Sequence, residues 1–284
     1  MIISNFDPWK SKLCTCPLKY SFSPYVGCSH GCLYCYASSY IKNFNKPRAK
    51  KNVIRKLKEE IKKIKDKRYV SIANSSDPYQ ELEKKLKLTR ESIKIFLKNN
   101  FKILILTKSD LILRDLDILK NSSVVVSITI TTLENWKAKK LEPNAPSPEK
   151  RIETLRILSE NNIPTVVRID PIIPLINDCE IEEIVKTVAE NGAKHIVSST
   201  YKVKKDNWER MKNEFPEEMK KLEHFYFSRG EKIHGYLYLP KNIRYNLMRR
   251  VFEEAKKYGL SFSVCREGFF ELNTSICDGS HLFK

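Results

Sequence analysis

Between residues 20 and 200, short β-branched and aliphatic runs alternate six times with amphipathic helical stretches. A chain patterned this way buries both element types by laying its strands in a parallel sheet with the helices as crossovers. The runs at 20–26, 69–73, 103–107, 124–130, 165–169 and 195–199 read as strands. Between them, Val53, Leu57, Ile61 and Ile64 share one helical face, and Thr89 caps a helix carrying Ile93, Phe96 and Leu97. A short third helix spans 111–119, a fourth runs from Pro148 to Ser159, and a fifth spans 181–189 before Asn191-Gly192. Six βα units are too few for a closed eight-stranded barrel. The expected fold is an α/β, TIM-like partial (β/α)6 barrel over residues 20–201, with an N-terminal extension at 1–19 and a helical and strand cap at 202–284. In the cap, Trp208, Met211 and Phe215 mark one helix face, Tyr245, Met248, Phe252 and Ala255 another, and 261–265 a late strand.

Directly after the first strand, Cys28, Cys32 and Cys35 fall within one loop, spaced Cys-x3-Cys-x2-Cys. Three thiolates this close can hold three corners of an iron–sulfur cubane, whereas most protein [4Fe–4S] clusters take four cysteines. The fourth iron then keeps an open coordination position, which is where metal chemistry occurs. A structural zinc site completed by Cys14, Cys16 or His30 is the alternative these residues leave open.

The spacing, the aromatic Tyr34 before the last cysteine and the extended segment upstream resemble the radical S-adenosylmethionine (SAM) superfamily. That resemblance implies a [4Fe–4S] cluster on Cys28, Cys32 and Cys35, whose open iron chelates SAM, and a 5′-deoxyadenosyl radical that takes a hydrogen atom from substrate. The runs Ser75-Ser76-Asp77-Pro78-Tyr79-Gln80, Leu106-Thr107-Lys108-Ser109 and Arg114-Asp115-Leu116 are similar to the branch containing spore photoproduct lyase. Glu142-Pro143, Arg151, Pro171-Ile172-Ile173-Pro174 and Asn177-Asp178 fit the same branch. By that similarity Ser76, Lys108 and Ser127 contact SAM, and a lysine ammonium suits the SAM carboxylate. The branch's hydrogen-donor cysteine falls on Asn74, whose amide cannot replace a thiol, so repair of the thymine lesion is not implied. Tyr36, next to the last cysteine, is a candidate hydrogen-atom relay or a cover for the cluster.

Cys14, Cys16, Cys265 and Cys277 lie near the two chain ends and are candidates for a second Fe–S cluster or a zinc site. Cys14-x-Cys16 reads as an awkward chelate for one ion in extended chain. Cys179 reads as a packed side chain and His195 as structural. Net charge is +18, and residues 42–68 hold 13 Lys or Arg against 3 Asp or Glu, or +10. That basic segment suits a nucleic-acid substrate, with a lysine-rich solvated face as the plain alternative. No apolar run is long enough to span a membrane and no export signal is present at the start, so a cytoplasmic monomer is expected, served by a one-electron donor such as ferredoxin or flavodoxin. A peptide, protein or small-molecule substrate, or a non-catalytic metal protein that binds nucleic acid or transfers electrons, are the competing readings.

Overall fold

The computed structural model describes residues 1–6 and 11–284. Twelve strands are found among them: β1 (Ile3–Asn5), β2 (Tyr20–Phe22), β3 (Tyr25–Val26), β4 (Arg48–Ala49), β5 (Val70–Ile72), β6 (Ile103–Thr107), β7 (Val124–Thr129), β8 (Thr165–Ile172), β9 (His195–Thr200), β10 (Glu231–Ile233), β11 (Tyr236–Tyr238) and β12 (Ser261–Val264). The helices are α1 (Val53–Ile61), α2 (Glu81–Leu86), α3 (Leu88–Lys98), α4 (Leu116–Leu119), α5 (Asn135–Leu141), α6 (Pro148–Glu160), α7 (Ile181–Glu190), α8 (Lys205–Glu214), α9 (Pro216–Phe227) and α10 (Lys241–Lys257).

Eight strands form one open sheet in the order β1-β2-β5-β6-β7-β8-β9-β12. The six expected strands are its parallel centre. The short β1 adds an antiparallel edge to β2, with Ile3 opposite Phe22. At the far edge β12 pairs parallel with β9, Phe262 opposite Ile196, so the C-terminal region supplies a seventh parallel strand as well as helices. α10 delivers it, packing against α7 and β12.

Strand side chains alternate between two faces, and both faces are covered. Ile103, Ile105, Val124, Val126, Val167 and Ile196 belong to the large core beneath the helices. Leu104, Val125, Val166 and Val197 point to the concave side and meet Leu282 and Phe283 of the chain's last residues. Burial on both faces is why these strands read as continuous apolar runs. The Lys284 carbonyl accepts from Lys102 Nζ (3.2 Å) and Ser123 Oγ (2.9 Å), beside the starts of β6 and β7. The tail therefore plugs one end of the half-barrel and leaves the other, at the strands' carboxyl ends, for the site.

Two boundaries differ from the sequence reading. The segment 20–26 is not one strand: β2 stops at Phe22, and β3 leaves the sheet to pair with β4. Pro24 lies at the break, lacking the N–H a ladder needs. The helix expected to be capped by Thr89 is α3, which starts at Leu88 after Lys87 turns left-handed (φ 51°), and Thr89 is buried with its hydroxyl donating to the Pro78 carbonyl (2.6 Å) instead of capping.

Candidate functional site

The loop that follows β3 is tied down by its carbonyls. Gln80 Nε2 donates to the Gly27 carbonyl (3.1 Å) and Asn144 Nδ2 to that of Ser29 (3.0 Å). Arg210 reaches the carbonyls of Leu33 (3.0 Å) and Cys35 (2.7 Å), and Asn207 that of Tyr34 (3.0 Å). Gly27 adopts φ +81°, and a Cβ there would stand 2.4 Å from the Phe44 carbonyl oxygen. That same oxygen accepts the Cys28 N–H at 2.9 Å, so only glycine lets the loop approach this closely. These ties come from α2's start, the turn after α5, and α8, so three separate elements fix one loop.

The loop opens on a cavity of about 460 Å³ at the strands' carboxyl ends. Cys28, Cys32 and Cys35 line it, as do Ser76, Lys108, Ser127 and Tyr36. Cys14, Cys16, Cys265 and Cys277 line it too, so the fold brings every proposed site residue to one chamber. Burial pushes the Cys28 thiol up to about 11, with the Asp77 charge acting the same way, and burial also raises Cys32 and Cys35. A metal taking these sulfurs must displace their protons.

Lys108 follows β6, and its ammonium stands 3.9 Å from Glu142 Oε1 and 5.7 Å from the Tyr34 ring centre. Burial disfavours its charge, but Cys32 and Glu142 outweigh that and hold it protonated. Glu142, 1% exposed, also pairs with Arg151 Nη1 at 2.5 Å and accepts from the Tyr34 hydroxyl. Asp77 pins its own loop to β6: Oδ1 accepts from Thr107 Oγ1 (2.7 Å) and the Tyr79 N–H (2.9 Å), and Oδ2 from the Lys108 N–H (2.8 Å). Ser76 is carried on that loop and is 4% exposed. The Ser127 hydroxyl, on β7, is buried with no hydrogen-bond partner among the described residues. Asn74 spends its amide on Ser21 Oγ (2.7 Å) and its carbonyl on Ser71 Oγ (2.9 Å), a structural use. Tyr36 stacks edge-on against Tyr236, 5.4 Å between centres.

One expectation needs correcting and others need adding to. Cys179 is exposed, not packed, since it lies on the turn before α7. Cys14 and Cys16 both line the cavity, on a segment with no regular strand. Glu142, Arg151, Gln80, Asn144 and Arg210 have structural roles that sequence reading did not assign; Gln80, Glu142 and Arg151 stand in the runs that resemble the branch, whereas Asn144 and Arg210 carry no such signal. His195 is structural as expected, its ring 2.8 Å from Ser261 Oγ.

A parallel half-barrel with a three-cysteine loop over its carboxyl-end cavity defines a class that comparison with known proteins identifies. The radical SAM superfamily model matches residues 22–188, and the chain belongs to that superfamily. The family implies SAM and a [4Fe–4S] cluster. The chain is 42% identical over 169 residues to the uncharacterized protein MJ0683 of Methanocaldococcus jannaschii, a match spanning 57% of this chain and 63% of that protein. It is 30% identical over 228 residues to ORF301 of Acidianus two-tailed virus, covering 69% of this chain and 75% of that protein. Among solved structures, a spore photoproduct lyase mutant with bound AdoMet and dinucleoside spore photoproduct aligns with TM-score 0.70 at 14% identity, covering 92% of this chain and 78% of that one. Streptococcus suis SuiB aligns with TM-score 0.58 at 15% identity, over 86% of this chain and 48% of that one. At such identities these structures speak to the fold alone.

Proposed function

We propose that Cys28, Cys32 and Cys35 ligate three irons of a [4Fe–4S] cluster and that Ser76, Lys108 and Ser127 hold SAM beside it, for radical chemistry on a nucleic acid. The observation that carries this reading is one pre-tied loop presenting three thiols to the same cavity as a protonated Lys108 and an unpartnered Ser127 hydroxyl. An orphaned buried hydroxyl is rare enough to require a reason, and a polar ligand in the cavity supplies one. Bound there, the cluster and SAM supply a 5′-deoxyadenosyl radical that abstracts hydrogen.

The residues of the chain do the rest. Gln80, Asn144 and Arg210 keep the loop from moving when its thiols lose their protons. Lys108 orients a carboxylate by a charge-assisted bond, and Glu142 fixes where the ammonium sits. Tyr36 covers the loop's end of the cavity, with hydrogen-atom relay as the second role open to it.

The nucleic-acid assignment rests on the mouth. Of the thirteen basic residues in 42–68, ten are exposed; Lys42 and Lys46 line a neighbouring surface hollow with Tyr40 and Phe44, which also line the cavity, and Arg48 donates to the Lys42 carbonyl (3.4 Å). Phosphate contacts of that kind give an affinity that falls steeply with salt. The spore photoproduct lyase mutant with AdoMet also carries a dinucleoside spore photoproduct, and one SuiB structure carries its precursor peptide, so a peptide is the rival substrate class. No described helix is long and apolar enough to cross a membrane.

The test is anaerobic reconstitution followed by SAM and dithionite. Wild type should bind a cubane and release 5′-deoxyadenosine, and Cys32→Ala should do neither. An intact cluster that yields no 5′-deoxyadenosine refutes the enzymatic reading. Salt-independent or absent binding to DNA and RNA refutes the substrate class alone.

A further inference from the structure

We propose that Cys14, Cys16, Cys265 and Cys277 form a zinc site, one tetrahedral thiolate-bound ion that stitches together the two edges of the open sheet. Cys14 and Cys16 lead into β2, near one edge. Cys265 leaves β12, the other edge, and Cys277 lies against it with its sulfur 3.6 Å from the Val264 carbonyl oxygen. Across that gap Cys16 Sγ and Cys277 Sγ stand 3.9 Å apart. All four cysteines line the same cavity, and Cys265 directly follows Val264, the residue whose carbonyl Cys277 approaches.

The separation chooses between ligands. With Zn–S near 2.3 Å, the edge of a tetrahedral ZnS4 unit is about 3.8 Å, close to the distance found. A cubane places a whole iron–sulfide box between its cysteines and needs them much farther apart. A disulfide needs the sulfurs about 2.0 Å apart, which they are not. Among the described residues no three His, Cys, Asp or Glu side chains are yet drawn tightly enough to hold an ion, and this is equally true of the 28–35 loop. One edge of the tetrahedron is already set, and the half-exposed Cys14 closes on it from the segment before β2.

The surroundings suit an anionic thiolate centre. Arg168 lines the cavity with Cys265, is held by Asp170 at 2.7 Å and places its charge where it favours the Cys265 thiolate. Lys19, 3% exposed and paired with Asp278, places its charge beside Cys16. Positive charge of this kind beside thiolates is what the outer shell of such a metal site provides. The ion would anchor the irregular segment before β2 and the C-terminal tail, neither of which has a strand of its own to hold it.

The experiment separates this site from the radical centre. The full chain, and a Cys28→Ala/Cys32→Ala/Cys35→Ala variant, are purified in air and their metals counted by plasma mass spectrometry. Both should carry about one zinc per chain, and a Cys16→Ser/Cys277→Ser variant should lose at least about nine-tenths of it. Cobalt substituted into the triple variant should show the visible d–d bands and thiolate charge-transfer absorption of tetrahedral sulfur coordination, a reading that needs no further variant to fold. Folded triple variant holding no zinc, iron and sulfide at cluster ratio in that variant, or a Cys16–Cys277 disulfide by mass spectrometry would overturn the proposal. Loss of 5′-deoxyadenosine production in the triple variant would leave it standing.

Discussion

Glu142→Gln is the most direct test of the electrostatics around the cavity. The substitution keeps the shape and the acceptor for Tyr34 but removes the charge. Arg151, 2.5 Å away, and Lys108, 3.9 Å away, then share the interior without a counter-charge. Removing one partner of a buried ion pair costs about 3–5 kcal/mol. Arg151 keeps bonds to the Pro146 carbonyl (2.8 Å) and the Thr129 carbonyl (3.2 Å), which places the loss at the low end of that range. At about 2–4 °C per kcal/mol for a chain of this size, a loss of about 3 kcal/mol lowers Tm by about 6–12 °C. The pH sign follows from the carboxyl. Burial pushes the Glu142 pKa up, but Arg151 and Lys108 overcome it and hold it below the usual value. A group depressed in the folded state contributes stability above its unfolded pKa, and that contribution is lost as pH falls through the folded one. The gap between wild type and variant should therefore be full at neutral pH and shrink below about pH 4. Circular dichroism melts of cluster-free protein read both effects. Glu160→Gln, on the exposed face of α6 with Arg156 2.5 Å away, is the control and should leave Tm unchanged. If the two variants melt together at neutral pH, the buried triad carries no such energy and the argument fails.

Three further outcomes follow from the same geometry. Ser127→Ala should leave the melting of cluster-free protein unchanged, since the hydroxyl has no bond to lose, while SAM affinity in reconstituted protein falls about tenfold, the worth of one hydrogen bond; equilibrium dialysis measures it, and unchanged affinity removes Ser127 from the SAM site. Gly27→Ala should cost about 1–2 kcal/mol from its left-handed φ alone, plus displacement of the Phe44 carbonyl 2.4 Å away, and should lower the iron bound on reconstitution; normal iron content would show that the loop's close approach is dispensable. Lys42→Ala/Lys46→Ala/Arg48→Ala should lower the slope of log affinity against log salt by up to about 2.7 on duplex DNA, and an unchanged slope would place the phosphates elsewhere.

The parallel centre of the fold was legible because strands buried on both faces leave unbroken runs such as Ile103–Thr107 and Val124–Thr129. The cysteine loop was legible because thiols clustered so closely in sequence must be close in space. What sequence hid were the long-range acts of polar residues. Nothing local shows that Glu142 is buried between Arg151 and Lys108, or that Arg210 of α8 holds the Cys35 carbonyl. The edges hid for a different reason. A three-residue strand such as β1 has too few residues to show a period, and the break after Phe22 followed from Pro24, a signal present in the sequence that a seven-residue strand assignment passed over. The meeting of Cys16 and Cys277 is a contact between chain ends 261 residues apart, for which pairing by spacing offers no guide.

Lys108 puts stability and function in opposition. Its ammonium has no hydrogen bond of its own among the described residues, only a carboxylate at 3.9 Å and an aromatic face. A buried cation held this loosely costs desolvation without full return. Replacing it with methionine leaves Glu142 and Arg151 as a balanced one-to-one pair, so the melting temperature of cluster-free Lys108→Met should stay level or rise, the reverse of Glu142→Gln. If the ammonium awaits an anion, SAM affinity should drop about 10- to 150-fold, the equivalent of about 1.5–3 kcal/mol for a charge-assisted bond. Destabilised and melting like Glu142→Gln, the variant would show that Lys108 is part of the scaffold. Stable but with SAM affinity intact, it would show that the charge serves neither. The combination of a steadier fold and a weaker ligand is the signature of a residue kept for binding at the expense of stability.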